Sequence, residues 1–370
     1  MRKLATIATI TDVTPIEGAD AIEVAHIRGW QVVVAKNENH HVGEQVLYIE
    51  ADAALPLNDT RFAFLAPRGK KIFGGEDVHV LRTIKLRGVY SQGLILPLSE
   101  FPELILHGKD CIYGMEDCYC QENAKKSIDE VLGIEVYEPP LPMGALDMAG
   151  VFPHYIQKTD AERVQNLDEE TWQKIQETSE NWIATEKIDG SSVTAWVTDD
   201  LEGEDRDTYV GQLRVASRNW ELKDTNNAYW RVVRELPLDA NEWVQGEVAG
   251  PGIQGNPLNL KQERIFIFGY GTFTGNGDGS YGGFERTPRE EWPAWAQELA
   301  APTYDFKLPE TIEETIAQVE TLKSLVTPDR GSEGVVWTHK DGTPLPGLDN
   351  RPIFKSISAA YLAKQAKKEK

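Results

Sequence analysis

Lys187 stands in the pentapeptide Glu186-Lys187-Ile188-Asp189-Gly190, between two strand-like runs. A lysine at a strand end, followed by an aspartate and a glycine, suits a covalent nucleophile. The glycine lets the backbone pass close to a ligand, and Asp189 can hold a metal-bound water. Attack requires the neutral amine, whereas a free lysine, with a pKa of about 10.4, is almost wholly protonated at neutral pH. A neighbouring lysine and a divalent cation are expected to lower that pKa by a few units. Taken alone, a Lys-x-Asp-Gly tetrapeptide is also a common surface turn, so the rest of the chain has to decide.

Further clusters follow in order. They are Ser217-Arg218-Asn219, then Gly246-Glu247 with Gly250-Pro251-Gly252-Ile253-Gln254-Gly255-Asn256 behind it, then Phe266-Ile267-Phe268, Glu333-Gly334-Val335-Val336 and Phe354-Lys355. Arg218 offers a planar fork to a phosphate; read blandly, it makes a surface ion pair. Glu247 can accept hydrogen bonds from ribose hydroxyls or hold a metal water, although a lone glutamate in a strand is usually just exposed. Phe266 or Phe268 can stack on a purine. Strand alternation is expected to turn one of the two toward the core, and Phe266 is assigned to the purine. Glu333 puts a carboxylate on a strand, beside a divalent cation. Lys355 would contact the α-phosphate and stabilise charge as pyrophosphate leaves; the plain alternative is a lysine snorkelling at a strand end.

In this order and spacing the set resembles the covalent nucleotidyltransferase superfamily of ATP-dependent ligases and mRNA capping enzymes. In its capping enzymes and DNA ligases a barrel follows the last of these motifs. Here the chain ends fifteen residues after Lys355, and a strand-rich part comes first. GEVAGPGIQGN, the tail FKSISAAYLAK and IKLRGVYSQGLILPL at 84–98 are similar to RNA ligases of the clade typified by the Naegleria enzyme, which has an N-terminal OB domain. The resemblance implies an ATP-dependent RNA ligase that seals 3′-hydroxyl and 5′-phosphate ends through lysyl-AMP and 5′-adenylylated RNA. It implies catalytic roles for Lys187 and Lys355. ATP contacts fall to Glu186, Lys187, Arg218, Glu247, Phe266 and Lys355, with Lys158 and Arg163 near the phosphates. Asp189, Glu247 and Glu333 would hold Mg2+ or Mn2+, and the partner is RNA with broken or nicked ends. One departure is plain: relatives often carry a second lysine two positions before the last motif lysine, where this chain has Ile353. The alternatives are a capping-type guanylyltransferase, a DNA ligase, or an OB-fold nucleic-acid-binding protein with an inactive transferase domain.

These residues need strands to hold them. Residues 1–108 read as short strands rich in Val, Ile and Leu, punctuated by Gly, Asn and Asp, the pattern of a small OB-type β-barrel. Residues 109–144 read as an insertion and linker that ends in the proline-rich EPPLPMG. Residues 145–370 read as a nucleotidyltransferase domain, ATP-grasp-like, of antiparallel sheets with flanking helices. The fold class is therefore α+β. Helices are expected at 160–178 and at 309–326, where Ile312, Ile316, Val319 and Leu322 share one face. Strands are expected in WIATEKIDGSSVTAWV, QLRVASRNW, EWVQGEV, RIFIFGY and EGVVWTH. The leading barrel is expected to contribute contacts to a ligand rather than only to stabilise the catalytic half.

The chain has 370 residues, and its 41% hydrophobic and 26% charged residues describe an ordinary globular protein. A net charge of -21 argues against holding nucleic acid by bulk electrostatics and points to basic residues clustered at a site. No apolar run approaches the roughly 18 residues of a membrane span, and the first residues lack the apolar core of a signal peptide. Three cysteines make no disulfide framework. The expectation is a cytoplasmic monomer. His107, Cys111, Cys118 and Cys120 could make a zinc site, but they lack a Cys-x-x-Cys knuckle, and reduced thiols are the simpler expectation. The tail lysines Lys364, Lys367, Lys368 and Lys370 read as a frayed, solvated end.

Overall fold

The computed structural model describes residues 3–105, 126–137, 147–198, 212–276, 280–342, 345–348 and 352–368. His107 and the three cysteines lie outside the described residues. The chain forms two units, Met1–Pro140 with Ala359–Lys370, and Leu141–Ser358. Among the described residues, no helix is long and apolar enough to cross a membrane.

The first unit is built from short, strongly apolar strands. Ile22–Ile27 and Trp30–Ala35 form a hairpin, and Asp12–Pro15 adds to its other side. Gln45–Glu50 lies between Ala5–Thr9 and Gly93–Pro97. Alternate residues of Trp30–Ala35 (Trp30, Val32 and Val34) enter a core with Ile10, Ile27 and Tyr48, as a half-buried strand requires. Residues 126–137, in the stretch read as insertion and linker, supply the helix Ile128–Leu132 and the strand Glu135–Val136. The helix is tied to the first strand: both Asp129 carboxylate oxygens accept backbone hydrogen bonds, from Leu4 at 3.0 Å and Ala5 at 2.6 Å. Lys364, Lys367 and Lys368 stand in a helix rather than in a frayed end, and Lys370 lies outside the described residues. Ala359–Lys368 is a helix that buries Ala359, Ala363 and Ala366 and packs on the strands Ile84–Leu86 and Val89–Ser91.

Among the described residues the second unit has two sheets. Seven strands run in the order Met148–Val151, Trp220–Leu222, Gln212–Ala216, Ser191–Thr198, Glu242–Ala249, Arg264–Asn276 and Ser280–Arg286. One face of this sheet, with Val193, Val215, Val248 and Ile267, is covered by the helices Ala228–Val233 and Ala294–Glu298. Four strands make the other sheet, in the order Glu162–Arg163, Ile353–Ile357, Gly334–His339 and Trp182–Glu186. Ala184, Val335, Trp337 and Phe354 on one of its faces pack with Trp172 and Ile175 of the helix Glu169–Glu177 and Val319 of the helix Ile312–Glu320. The segment 299–304 joins the two sheets: Ala301 donates to the Ile267 carbonyl, and the Pro302 carbonyl accepts from Glu186 N, each at 2.8 Å.

Two helices are shorter than their sequence pattern. The 160–178 segment opens as the strand Glu162–Arg163, whose pairing with Ile353–Ile357 is parallel in otherwise antiparallel sheets. The helix starts only at Glu169, where Asp168 caps it by accepting from Thr171 N at 2.7 Å. The second helix starts at a capping box of Thr311 and Glu314 and ends at Glu320, because Leu325 and Val326 give their backbone N–H groups to the Glu186 carboxylate.

Candidate active site

Lys187 sits just past the end of the strand Trp182–Glu186. Its backbone N–H still donates to the Gly334 carbonyl at 2.9 Å, so the ladder with Gly334–His339 extends to the lysine itself. That close pairing needs glycine at 334: a Cβ there would lie 2.1 Å from the Ser356 oxygen and 2.9 Å from Ile357 Cα. Gly190 is under the same constraint, with a Cβ 2.3 Å from the Val248 oxygen. We expect Gly334→Ala to destabilise the unit by about 1–3 kcal/mol, the usual cost of forcing atoms into a packed site. A urea melt measures it, and an unchanged midpoint would contradict the packing described.

The Lys187 ammonium meets the Glu333 carboxylate at 2.8 Å. Glu247 and Asp189 lie close enough to act on it as well. Burial pushes the Lys187 pKa down, but Glu333, Glu247 and Asp189 outweigh burial and the net shift is upward. Lys187 therefore rests as an ammonium ion; the lowering expected from the sequence depends on a divalent cation and a neighbouring lysine joining these carboxylates. Three carboxylates act on the ammonium. Burial, opposed by Lys187 and reinforced by Glu333 and Asp189, raises Glu247 to about 8. Burial also raises Glu333, with Lys187 and Lys355 opposing and Asp189 adding to the rise.

These shifts fix a sign. Because both glutamates have folded pKa values above the free carboxyl, their contribution to stability is full below the free value and is lost as pH rises through the folded one. The same ionisation frees the oxygens to hold a cation. Labelling of Lys187 should therefore climb between about pH 6 and pH 8, and Glu247→Gln should flatten the upper part of the climb. A profile that falls over this range would overturn the assignment.

Cation ligation fits the donors present. Glu333 Oε1 is taken by Lys187, while Oε2 is buried with no hydrogen-bond partner among the described residues. No three acidic, histidine or cysteine side chains among the described residues are gathered tightly enough to chelate an ion by themselves. The arrangement suits a hydrated ion reached partly through water, the habit of magnesium.

The remaining predicted residues fall into place unequally. Lys355 pairs across the ladder with Val336 and lies close enough to Glu333 to act on its charge. Arg163 pairs with Lys355 on the neighbouring strand and is 2% exposed. Arg218 lies in the turn after Gln212–Ala216, acts on Glu247 and forms an ion pair with Asp160. Lys158 donates to Asn219 Oδ1 at 2.8 Å in the same turn. Glu186 is turned away from Lys187, toward the opposite face of its strand. It accepts from Leu325 N at 2.8 Å and Val326 N at 3.3 Å, and burial raises its pKa.

Alternation does not separate Phe266 from Phe268, since residues two apart share a strand face. A β-bulge does: Gly246 pairs with Ile267 and Gln245 with Gly269, leaving Phe268 as the extra residue. Phe266, directly across from Glu247, is buried with Ile188, Ala249 and Leu258, and the Arg264 guanidinium lies 5.0 Å from its ring centroid. Sequence reading missed Asp160, although its place between Lys158 and Arg163 was a signal. It also missed Thr327 and Arg330, which bond the Leu258 and Pro257 carbonyls and so fix the loop beside Phe266.

Comparison with known proteins gives the family of the chain. Residues 4–98 match an OB-fold domain family, and residues 180–357 match the RNA ligase family. Solved structures of Naegleria gruberi RNA ligase are similar over nearly the whole chain. An aspartate-to-alanine variant in its apo form is 32% identical over 99% of this chain and 98% of that one, with a TM-score of 0.73. A lysine-to-alanine variant with ATP and Mn is 32% identical over 98% and 99%, with a TM-score of 0.71. The same ligase with pyrophosphate is 31% identical over 99% and 100%, again with a TM-score of 0.71. No curated protein sequence matches the chain. The chain belongs to the RNA ligase family, with an N-terminal OB fold followed by a sheet-rich ligase unit.

Proposed function

We propose that this enzyme is an ATP-dependent RNA ligase that joins 3′-hydroxyl and 5′-phosphate ends, with Lys187 as its nucleophile. The observation that carries the assignment is the Lys187–Glu333 contact of 2.8 Å at the edge of one sheet, with Glu247 and Asp189 around it. Solved relatives that hold ATP and Mn support the choice of nucleotide and metal. Glu333, Glu247 and Asp189 would hold a divalent cation, Mg2+ or Mn2+, which would supply positive charge that competes with the lysine for these carboxylates.

Lys187 gives a proton to solvent, and the neutral Nζ then forms a bond to the α-phosphorus of ATP as the bond to pyrophosphate breaks. Lys355 and Arg218 place positive charge toward the phosphates, where negative charge builds. We place Phe266 beside the purine as a wall of the site, packed with Ile188, Ala249 and Leu258 and 1% exposed, with Arg264 next to it. A 5′-phosphate oxygen of RNA then takes AMP from Lys187, and a 3′-hydroxyl displaces AMP to close the phosphodiester. We place Lys158 and Arg163 near the ATP phosphates. We assign the enzyme to the cytoplasm as a monomer, because lysine and carboxylates come from one unit of one chain and three cysteines suit a reducing compartment.

The test is incubation with labelled ATP or GTP, followed by sealing of nicks made of RNA or DNA. An acid-labile adduct from ATP, and a preference for ribonucleotides at the 3′-hydroxyl end, are expected; the 2′-hydroxyl is the group that distinguishes them. Labelling by GTP alone would indicate a capping-type enzyme. Equal sealing of all-DNA nicks would place the chain among DNA ligases.

A further inference from the structure

Two basic segments far apart in the chain meet within the first unit. The strands Ile84–Leu86 and Val89–Ser91 pair as a hairpin, with Leu86 opposite Val89 and Lys85 opposite Tyr90. The helix Ala359–Lys368 packs on both strands and buries Ala359, Ala363 and Ala366. Together the hairpin and the helix carry Lys85, Arg87, Lys364, Lys367 and Lys368, and neither contains an aspartate or a glutamate, although 59 of the 370 residues are acidic. Lys85, Arg87, Lys364 and Lys367 are all exposed.

The turn of the hairpin points the same way. Arg87 and Gly88 join the strands as a two-residue loop, with φ of 46° and 90°. Two positive φ values make a type I′ turn, which asparagine, aspartate and glycine adopt most easily. Arginine thus stands at an exposed hairpin tip against its backbone preference. Lys85 is steadied by Tyr90: its Nζ lies 4.7 Å from the ring centroid and 3.5 Å from the hydroxyl. On the helix, Lys364 and Lys367 are about one turn apart and so project from one side. Among the described residues, no carboxylate pairs with Arg87, Lys364 or Lys367. Like charges gathered on one surface repel one another, and a polyanion laid across them turns that cost into attraction.

We propose that the 84–91 hairpin and the helix Ala359–Lys368 form one contact for the RNA backbone, in which Arg87, Lys364 and Lys367 each neutralise one phosphate. The inference rests on the RNA ligase reading, which supplies the polyanion. A strand gripped by its phosphates is held without regard to sequence, so unrelated sequences should bind here alike.

The experiment uses the full chain and labelled single-stranded ribo-oligonucleotides of two unrelated sequences, each with a 5′-phosphate. Affinity is measured across salt from about 50 to 300 mM, beside Lys187 labelling by ATP without RNA. Each phosphate contact on a single strand contributes about 0.7 to the slope of log affinity against log salt. The triple variant Arg87→Asn, Lys364→Gln, Lys367→Gln should flatten the slope by about 2 and weaken binding about tenfold or more at the lowest salt, equally for both sequences. Arg87→Asn alone should take about 0.7 from the slope, and asparagine suits the turn, so the hairpin is kept. Lys307→Gln, which removes an exposed lysine paired with Glu180 in the second unit, should leave the slope as it is. ATP labelling should stay at the parent level throughout. An unchanged slope and affinity with normal labelling would overturn the inference and leave the ligase reading intact, as would a loss confined to one sequence or matched by Lys307→Gln. A parent protein that neither labels nor seals would sink the ligase reading itself.

Discussion

Lys187→Ala should abolish labelling of the protein by ATP and sealing of 5′-phosphate ends, a loss on the order of 10^4-fold or more, as expected when a covalent nucleophile is removed. The variant should still join a strand that is already 5′-adenylylated, because the final displacement uses the 3′-hydroxyl and not the amine. The structure sharpens this expectation. Lys187, the proposed nucleophile, is also the only cation in hydrogen-bond contact with Glu333 among the described residues. Its removal leaves three carboxylates facing one another without that charge, so the variant should bind a divalent cation at least as well as the parent. Adduct formation at the parent rate would place the nucleophile elsewhere. Loss of the final step alongside the first would point to a collapsed site rather than a missing amine.

Glu333→Ala should lower labelling by about 10- to 100-fold, the range for losing a group that orients a metal. Two opposed effects make this informative. Without the carboxylate at 2.8 Å, the lysine loses a stabilising partner and its ammonium form is less favoured, which by itself would help attack. The buried Oε2, which has no hydrogen-bond partner among the described residues, is lost as a cation ligand at the same time, which hinders it. The second effect should dominate, seen as a metal requirement shifted to higher concentration with labelling that partly recovers at saturating metal. A variant that titrates metal and labels like the parent would leave Glu333 as a simple counterion.

The sequence made Lys187, Asp189, Glu247, Glu333 and Lys355 legible because each sits in a short contiguous signature, and strands hold such signatures in fixed directions. The structure brings Lys187, Asp189, Glu247 and Glu333 into one electrostatic cluster, with Lys355 acting on Glu333. The long-range stitching was not legible. The segment 299–304 joins the sheets through backbone groups, and main-chain hydrogen bonds leave little trace in residue type. Glu186 looked like part of the site because it adjoins Lys187, yet alternation sends the next side chain to the other face. The strand at Glu162–Arg163 was hidden inside a helical pattern because its pairing partner lies nearly two hundred residues away. The resting charge of the lysine was hidden for a related reason: the sequence shows which charges exist, and only the fold shows which of them face each other.

The helix Ala359–Lys368 belongs to the first unit, although Lys355, only four positions before its first residue, belongs to the second. In chain terms the ligase unit is a guest spliced into a host, which begins before it and resumes after it. A deletion that removes the leading residues alone therefore does not isolate the catalytic half. It strands a helix whose Ala359, Ala363 and Ala366 stripe has lost the strands Ile84–Leu86 and Val89–Ser91 beneath it. The clean dissection excises 141–358 and rejoins the two host pieces with a flexible bridge, which keeps each half's core residues together.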